Sequence, residues 1–251
     1  MKLISNKLAA ALAAVSISSP VFALGASVTS ALSTTASSRE TSFCTELPTT
    51  INTVNSNISK LTGKLNTAQA TRLSNLNSRW TKADQTLAAD RSQWAADRQA
   101  QFTKLEAKAT TDSQKAAVST FESTITSAIN TRELANDAAR ATYRTAVTNL
   151  VSTKQSGTNG QVAAFTSSVN SAESTATAGC QANPSSAANR TTFQTALRTA
   201  RTTYISYRNS DNNIASQVKA LAQTRDTAIQ TNDSTFKAAA AAAETTLKAA
   251  F

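Results

Sequence analysis

Cys44 and Cys180 are the only cysteines of the chain, and no histidine accompanies them. A reactive thiolate needs a neighbouring base or cation to activate it, and imidazole is the usual one. Its absence removes Ser-His and Cys-His catalysis, His-bound metals and His-based pH switching together. A single pair of cysteines in an exported chain is therefore a structural disulfide. Asp90 and Asp97 are the next candidates, each followed by an arginine (Arg91, Arg98). A carboxylate dyad requires both acids in one cleft. At heptad spacing on a helix these two read instead as solvated charges of the helix itself. No P-loop, GxGxxG, CxxC or HExxH pattern occurs. No catalytic residue, metal ligand or cofactor is assigned, and the expected class is not an enzyme.

The residues with a binding chemistry are arginines. The densest acid-free stretch is 181–210, with Arg190, Arg198, Arg201 and Arg208. Arg201 and Arg208 are seven apart and share a helix face, and Phe193, Tyr204 and Tyr207 lie among them. Such a stripe suits an anionic partner: an envelope polymer, another surface protein or acidic surface, or nucleic acid. The plain alternative is a basic helix whose aromatics are seam residues. No motif that reads bases is present, so specific nucleic-acid recognition is not expected.

The elements that position these residues begin with an export signal. Lys2 and Lys7 precede a mostly apolar run, Leu8 to Ile17. Ser18-Ser19-Pro20 then leads to Val21-Phe22-Ala23, a small-x-small cleavage pattern. Cleavage is expected after Ala23, with Ala26 as the second choice and an uncleaved anchor as the alternative. The apolar run is too short to span a bilayer, and no second one follows. The expected location is secreted, periplasmic or cell-surface. The full chain carries 25 − 15 = +10. Removing the two signal lysines leaves 23 − 15 = +8. Residues 24–42 are Ser/Thr/Ala-rich without a period and read as a flexible leader.

From Leu47 onward apolar residues recur at steps of three and four: Ile51, Val54, Ile58, Leu61, Leu65, then Leu73, Leu76, Trp80, Leu87, Trp94, Phe102 and Leu105. That is one face of a long helix. Trp80 and Trp94, two heptads apart, read as buried seam residues rather than a ligand platform. The pattern resumes at Val118, Phe121, Ile125, Ile129, Tyr143 and Val147, and continues weakly through Val162, Phe165, Val169, Ala172 and Ala176. Between the runs, Thr111 and Gln114 have capping-box spacing, with Asp112 and Ser113 as other caps. The turn is expected near 110–113. The cysteines' sequence midpoint is (44 + 180)/2 = 112. Two antiparallel arms of about 66 residues, roughly 100 Å each at 1.5 Å per residue, would bring the two sulfurs together. Ser156-Gly157-Thr158-Asn159-Gly160 looks like a loop. A reversal there would carry Cys180 away from Cys44, so 156–160 is expected to be a kink or short break in the return arm.

Asn183-Pro184 marks a turn, and residues 181–251 are expected as a third long helix packed on the hairpin. Phe193, Ala200, Tyr207, Ile214, Leu221 and Ala228 fall in one register of its heptads. Leu197, Tyr204, Asp211, Val218, Arg225 and Asn232 fall in the other. The polar members Asp211, Arg225 and Asn232 are expected to set register or to mark a locally open seam, with ligand binding as the alternative. Composition agrees with a narrow core. Ala (49), Thr (40) and Ser (31) make 120 of 251 residues, and the 40% hydrophobic fraction is half alanine. The expected fold is all-α: an elongated antiparallel helical hairpin extended to a three-helix rod. A four-helix bundle, or a homo-oligomer that completes the bundle, is the alternative. The terminal Phe251 follows no alternating strands, so it is not read as a barrel signal.

The block from Arg79 to Arg144, with SRWTKADQTLAADR, FTKLEAKATTDSQKAAVSTFES and ANDAARATYR, resembles uncharacterised secreted Ala/Thr-rich helical proteins of small-genome bacteria. The resemblance covers residues 43–180 and implies a signal followed by a long helical region bounded by two cysteines. It brings no activity and no site residues. The functional expectation is a non-catalytic rod at the cell envelope or surface that binds anionic polymers. A holdase-like periplasmic chaperone is the alternative.

Overall fold

The computed structural model describes residues 40–210 and 214–251, with side chains at 43–209 and 214–251. The expected signal at 1–23, the leader up to residue 39 and the seam residue Asp211 lie outside the described residues. Four helices account for nearly all the rest: α1 (Glu40–Glu106), α2 (Asp112–Ala182), α3 (Ala187–Ser210) and α4 (Ile214–Lys248). No strand occurs among the described residues, and the chain is all-α.

Threonine is a mediocre helix former because its hydroxyl competes for backbone partners. Here the competition is resolved inside each helix. Thr53, Thr120, Thr166 and Thr245 donate their hydroxyls to the carbonyls of Thr49, Ala116, Val162 and Ala241, four residues back. That satisfies the hydroxyls without adding tertiary stability. The helices must draw their stability from packing.

The described chain divides into two compact units. One holds residues through Leu73 with Val151–Ala215. Its core takes Leu47, Val54, Ile58 and Leu65 from α1, five residues from Val162 to Ala176 on α2, and Phe193, Leu197, Ala200 and Tyr204 from α3. Val54 and Val169 are fully buried. Burying a Val or Leu side chain contributes about 1.5–3 kcal/mol, so this small-residue seam is the unit's main support. In this unit α1 and α2 run antiparallel: Cys44 meets Cys180, Asn55 meets Glu173 and Gln69 meets Asn159. The cysteines form a disulfide with a Cα–Cα distance of 5.5 Å. At the Asn183-Pro184 turn, the Asn183 side chain accepts from Ser185 N–H at 3.2 Å, and Asn189 Nδ2 donates to the Asn183 carbonyl at 2.8 Å.

Of the kink or short break expected at 156–160, the break does not occur, since α2 is helical through all five residues. The polar side chains that suggest a loop are spent on neighbouring helices instead. Asn159 Oδ1 accepts from Gln69 Nε2 at 3.3 Å, and Gln155 Nε2 donates to the Gln69 carbonyl at 3.4 Å. Thr158 bonds back to the Lys154 carbonyl. Gly157 makes room for Tyr207: a Cβ there would stand 2.5 Å from the Tyr207 Oη.

The second unit combines Ser74–Leu150 with Ser216–Phe251. It contains the α1–α2 turn, where Gln114 N–H donates to Thr111 Oγ1 and Thr111 N–H donates to Gln114 Oε1, both at 3.2 Å. That is the reciprocal capping box which the spacing predicts. Ala109, Val118 and Leu247 close over the turn, with Phe102 and Phe121 edge to face at 6.1 Å. Trp80 is buried as expected, whereas Trp94 is only half-buried. Asn232 Nδ2 donates to Asn136 Oδ1 at 2.9 Å, and Asn136 is 7% exposed. This polar pair ties α4 to α2 at one register, the role expected for Asn232. Arg225 instead lies over the Tyr143 ring at 4.6 Å and pairs with Asp226. The third element begins as α3 at Ala187, after the Asn-Pro turn, and helix is described again as α4 from Ile214, with residues 211–213 outside the described residues.

Candidate anion-binding face

All four candidate arginines lie on α3, which contains no carboxylate and no lysine. At about 100° per residue, Arg190, Arg201 and Arg208 fall within about 20° of one another, and Arg198 sits some 60–80° further round. The buried residues Phe193, Leu197, Ala200 and Tyr204 occupy the adjoining stripe. The arginines thus flank the core: Arg198 is exposed, and Arg190, Arg201 and Arg208 are half-buried. Long basic side chains at such a border lay their stems on apolar neighbours and hold their heads in water. The aromatics among them are seam residues. Phe193 meets Phe43 at 6.0 Å, and Tyr204 meets Phe165 at 5.8 Å.

The direction of this flank follows from α3's contacts. Tyr207 approaches Gly157, so that side of α3 faces α2, and Asn189 approaches both Gly179 on α2 and Cys44 Sγ on α1 at the disulfide end. The three arginines lie about 100–120° away from Tyr207 and Asn189, on the side that borders α1. On α1, Cys44 and Asn55 face α2. The exposed Lys60 and Lys64 lie on the opposite flank of α1, toward α3. Glu46 is the carboxylate on that flank.

Charge differs between the units. Among the described side chains of the first, eight cations stand against Glu46 and Glu173, 8 − 2 = +6. In the second, 14 cations stand against 11 acids, +3. There several of the cations are paired: Arg91 is bidentate to Asp137 at 2.9 Å and reaches Glu133, Arg140 also meets Asp137, and Arg144 is bidentate to Asp84 at 2.6 Å. Among the described residues, Arg190, Arg198 and Arg201 stand in no ion pair, and Arg201 Nε is buried without a hydrogen-bond partner.

The acids considered for catalysis are not brought together. Asp97 accepts from Gln93 on its own helix at 3.0 Å, and Arg91 turns from Asp90 to Asp137 on α2. Among the described residues no cluster of three or more potential ligands could hold a metal, and no helix is long and apolar enough to cross a membrane.

Several shifted groups escape sequence reasoning. Glu173 is 9% exposed, and burial holds its pKa above the usual carboxylate range despite the Asn55 hydrogen bond. Burial also raises Glu122, with Glu106 adding to the effect, and raises the Tyr204 phenol against the opposing charge of Arg208. Hydrogen bonds from arginine lower Asp84 (from Arg144) and Asp137 (from Arg91). The signal that could have located Glu173 is its place one residue beyond Ala172, inside the Val169–Ala176 seam. Comparison of the chain with protein-family models, curated proteins and solved structures finds no match.

Proposed function

We propose that the chain is an exported, non-catalytic helical scaffold of the cell envelope or surface, whose basic faces engage a partner. In this reading α1 and α2 form an elongated antiparallel hairpin, clamped at its open end by Cys44–Cys180 and widened to three helices by α3 and α4. The disulfide carries the reading. A bond between residues 136 apart in sequence supports both an oxidising compartment and the return of α2 along α1. The capping box at Thr111–Gln114 supports the reversal between them.

Two measurements test it. Expression with a C-terminal tag should yield an extracytoplasmic product whose N-terminus begins just after residue 23, with no free thiol. Small-angle scattering of that product should give a maximum dimension of about 100 Å or more, from 1.5 Å per helical residue. A reduced cytoplasmic product rules out the exported scaffold, and a profile of a compact sphere rules out the elongated arrangement.

A further inference from the structure

We infer that the α1–α3 side of the first unit is a docking strip for a linear phosphate-bearing polymer, with Arg190, Arg201 and Arg208 as its principal contacts. This deepens the proposed reading by giving the scaffold's partner a chemistry.

Four features carry the inference. The first is alignment: the 11- and 7-residue spacings are each close to a whole number of turns. They place three guanidinium stems in one row of about 27 Å, at 1.5 Å per residue. The second is availability. Arg190 and Arg201 lack an ion pair among the described residues, while Arg91, Arg132, Arg140 and Arg144 of the second unit are held by Asp84, Asp137, Glu133 and Asp233. The third is continuity: Lys60 and Lys64 extend the positive border onto α1, and Glu46 is its one carboxylate. The fourth is side-chain type. Every cation of α3 is arginine, whose planar fork grips two non-bridging oxygens of a phosphate at once, whereas lysine offers a point charge.

The geometry favours an extended chain over a compact ligand. The three arginines are strung along one face of α3 over about 27 Å at 1.5 Å per residue, a span that no single small anion covers. A flexible polymer adjusts its charges to such a row and releases counterions along it, so affinity should fall steeply with salt. Recognition of the repeating phosphate requires no contact with a particular base or sugar.

The test uses the mature chain, residues 24–251, with its disulfide intact and long-chain linear inorganic polyphosphate as probe. Its polymer partners are polygalacturonate, as the carboxylate comparison at matched charge, and single-stranded DNA. Binding is read by fluorescence anisotropy across a salt series. R190Q/R201Q/R208Q should weaken polyphosphate binding at least about tenfold at about 0.1 M salt, and flatten the log–log salt slope by about two, at roughly 0.7 per phosphate contact. A charge-matched control in the second unit, K82Q/K104Q/K108Q, should stay within about twofold under the same screening. All three of its lysines are exposed. Far-ultraviolet circular dichroism of both variants confirms that the helices persist. Equal losses in the two triple variants overturn the strip. Equal affinity for polygalacturonate overturns the phosphate assignment. Single-stranded DNA, itself a phosphate polymer, should bind about as tightly as polyphosphate at matched charge, and markedly tighter binding overturns recognition through the phosphate alone. Because binding is measured on purified disulfide-bonded protein, its failure leaves the export and scattering results untouched.

Discussion

Asn55 on α1 donates its side-chain amide to Glu173 Oε2 on α2 at 3.1 Å, while Glu173 Oε1 is buried with no partner. A carboxylate held this way is half satisfied. Burial raises its folded pKa above the unfolded value, so the neutral form is the one the fold prefers. Its contribution to stability is fully present below the unfolded pKa and is lost as pH rises through the raised folded value. Glu173→Gln keeps an acceptor for Asn55 and abolishes the charge. The variant should melt above the parent at pH 7, with a gain of about 1 kcal/mol, and the gap should close toward pH 4. Asn55→Ala should do the reverse, costing about 1–3 kcal/mol by stranding the carboxylate. Thermal melts of the three proteins at several pH values decide it. A Glu173→Gln variant less stable than the parent at pH 7 would mean that the carboxylate is stabilising as it stands.

The Arg144–Asp84 pair behaves with the opposite sign. Two 2.6 Å hydrogen bonds from Arg144 lower the Asp84 pKa, and the guanidinium also lies 5.7 Å from the Trp80 ring centroid. The stabilisation is therefore present above the unfolded pKa of Asp84 and is lost as pH falls through its lowered folded value. Half of the Asp84 side chain is exposed, so solvent screening keeps the pair's worth to about 0.5–1 kcal/mol. A double-mutant cycle with Asp84→Asn and Arg144→Gln at pH 7 should return a coupling energy of that size, shrinking in high salt. A coupling of zero at low salt would show that the bidentate geometry adds nothing.

The disulfide closes a loop of 136 residues, so its chief effect is to restrict the unfolded chain. Its loss should cost about 2–4 kcal/mol, read as a lower melting temperature of the Cys44→Ser/Cys180→Ser variant and of the parent in reductant. Hydrogen exchange should rise most around Phe43, Leu47 and Phe193, the apolar residues packed near the bond. An unchanged melting temperature in full reductant would remove the clamp from the energetics of the fold.

Two helical glycines should respond in opposite ways to the same substitution. A Cβ at Gly63 meets nothing within 4 Å, so Gly63→Ala should gain about 0.5–1 kcal/mol from helix propensity alone. At Gly157 the new methyl would stand 2.5 Å from the Tyr207 Oη, the end of a rigid ring that must move. Gly157→Ala should therefore destabilise. Adding Tyr207→Phe removes the obstructing oxygen and should recover part of the loss. Chemical denaturation of the two single variants and the double variant checks the sign and the rescue.

Local chemistry made much of this protein legible from its residues alone. The Thr111–Gln114 cap depends on four consecutive residues, and the period of Leu47, Val54, Ile58 and Leu65 depends on one helix. Both stand in the structure where the spacing puts them. The cysteine pairing followed from there being two cysteines and one turn midway between them. Asn232 was legible as a seam position, though its partner Asn136 was not.

What the chain alone left undecided were the properties that depend on a neighbouring helix. A helical period names the inward face and leaves open what stands opposite. Ser156–Gly160 has the composition of a loop, yet it is helical because Gln69 and Tyr207 accept it as a packing surface. Trp80 and Trp94 share one face and one spacing, yet the first is buried and the second half-open. Glu173 lies within a core stripe, and only the neighbouring helix shows that it is buried with Asn55 as the partner of one oxygen and none for the other. Sequence determined most of the helical stretches and the turns near 110–113 and 183–184, because those depend on neighbours along the backbone. Tertiary structure decided which polar groups are buried and which arginines remain unpaired, because desolvation and ion pairing are set by the surfaces that meet across helices.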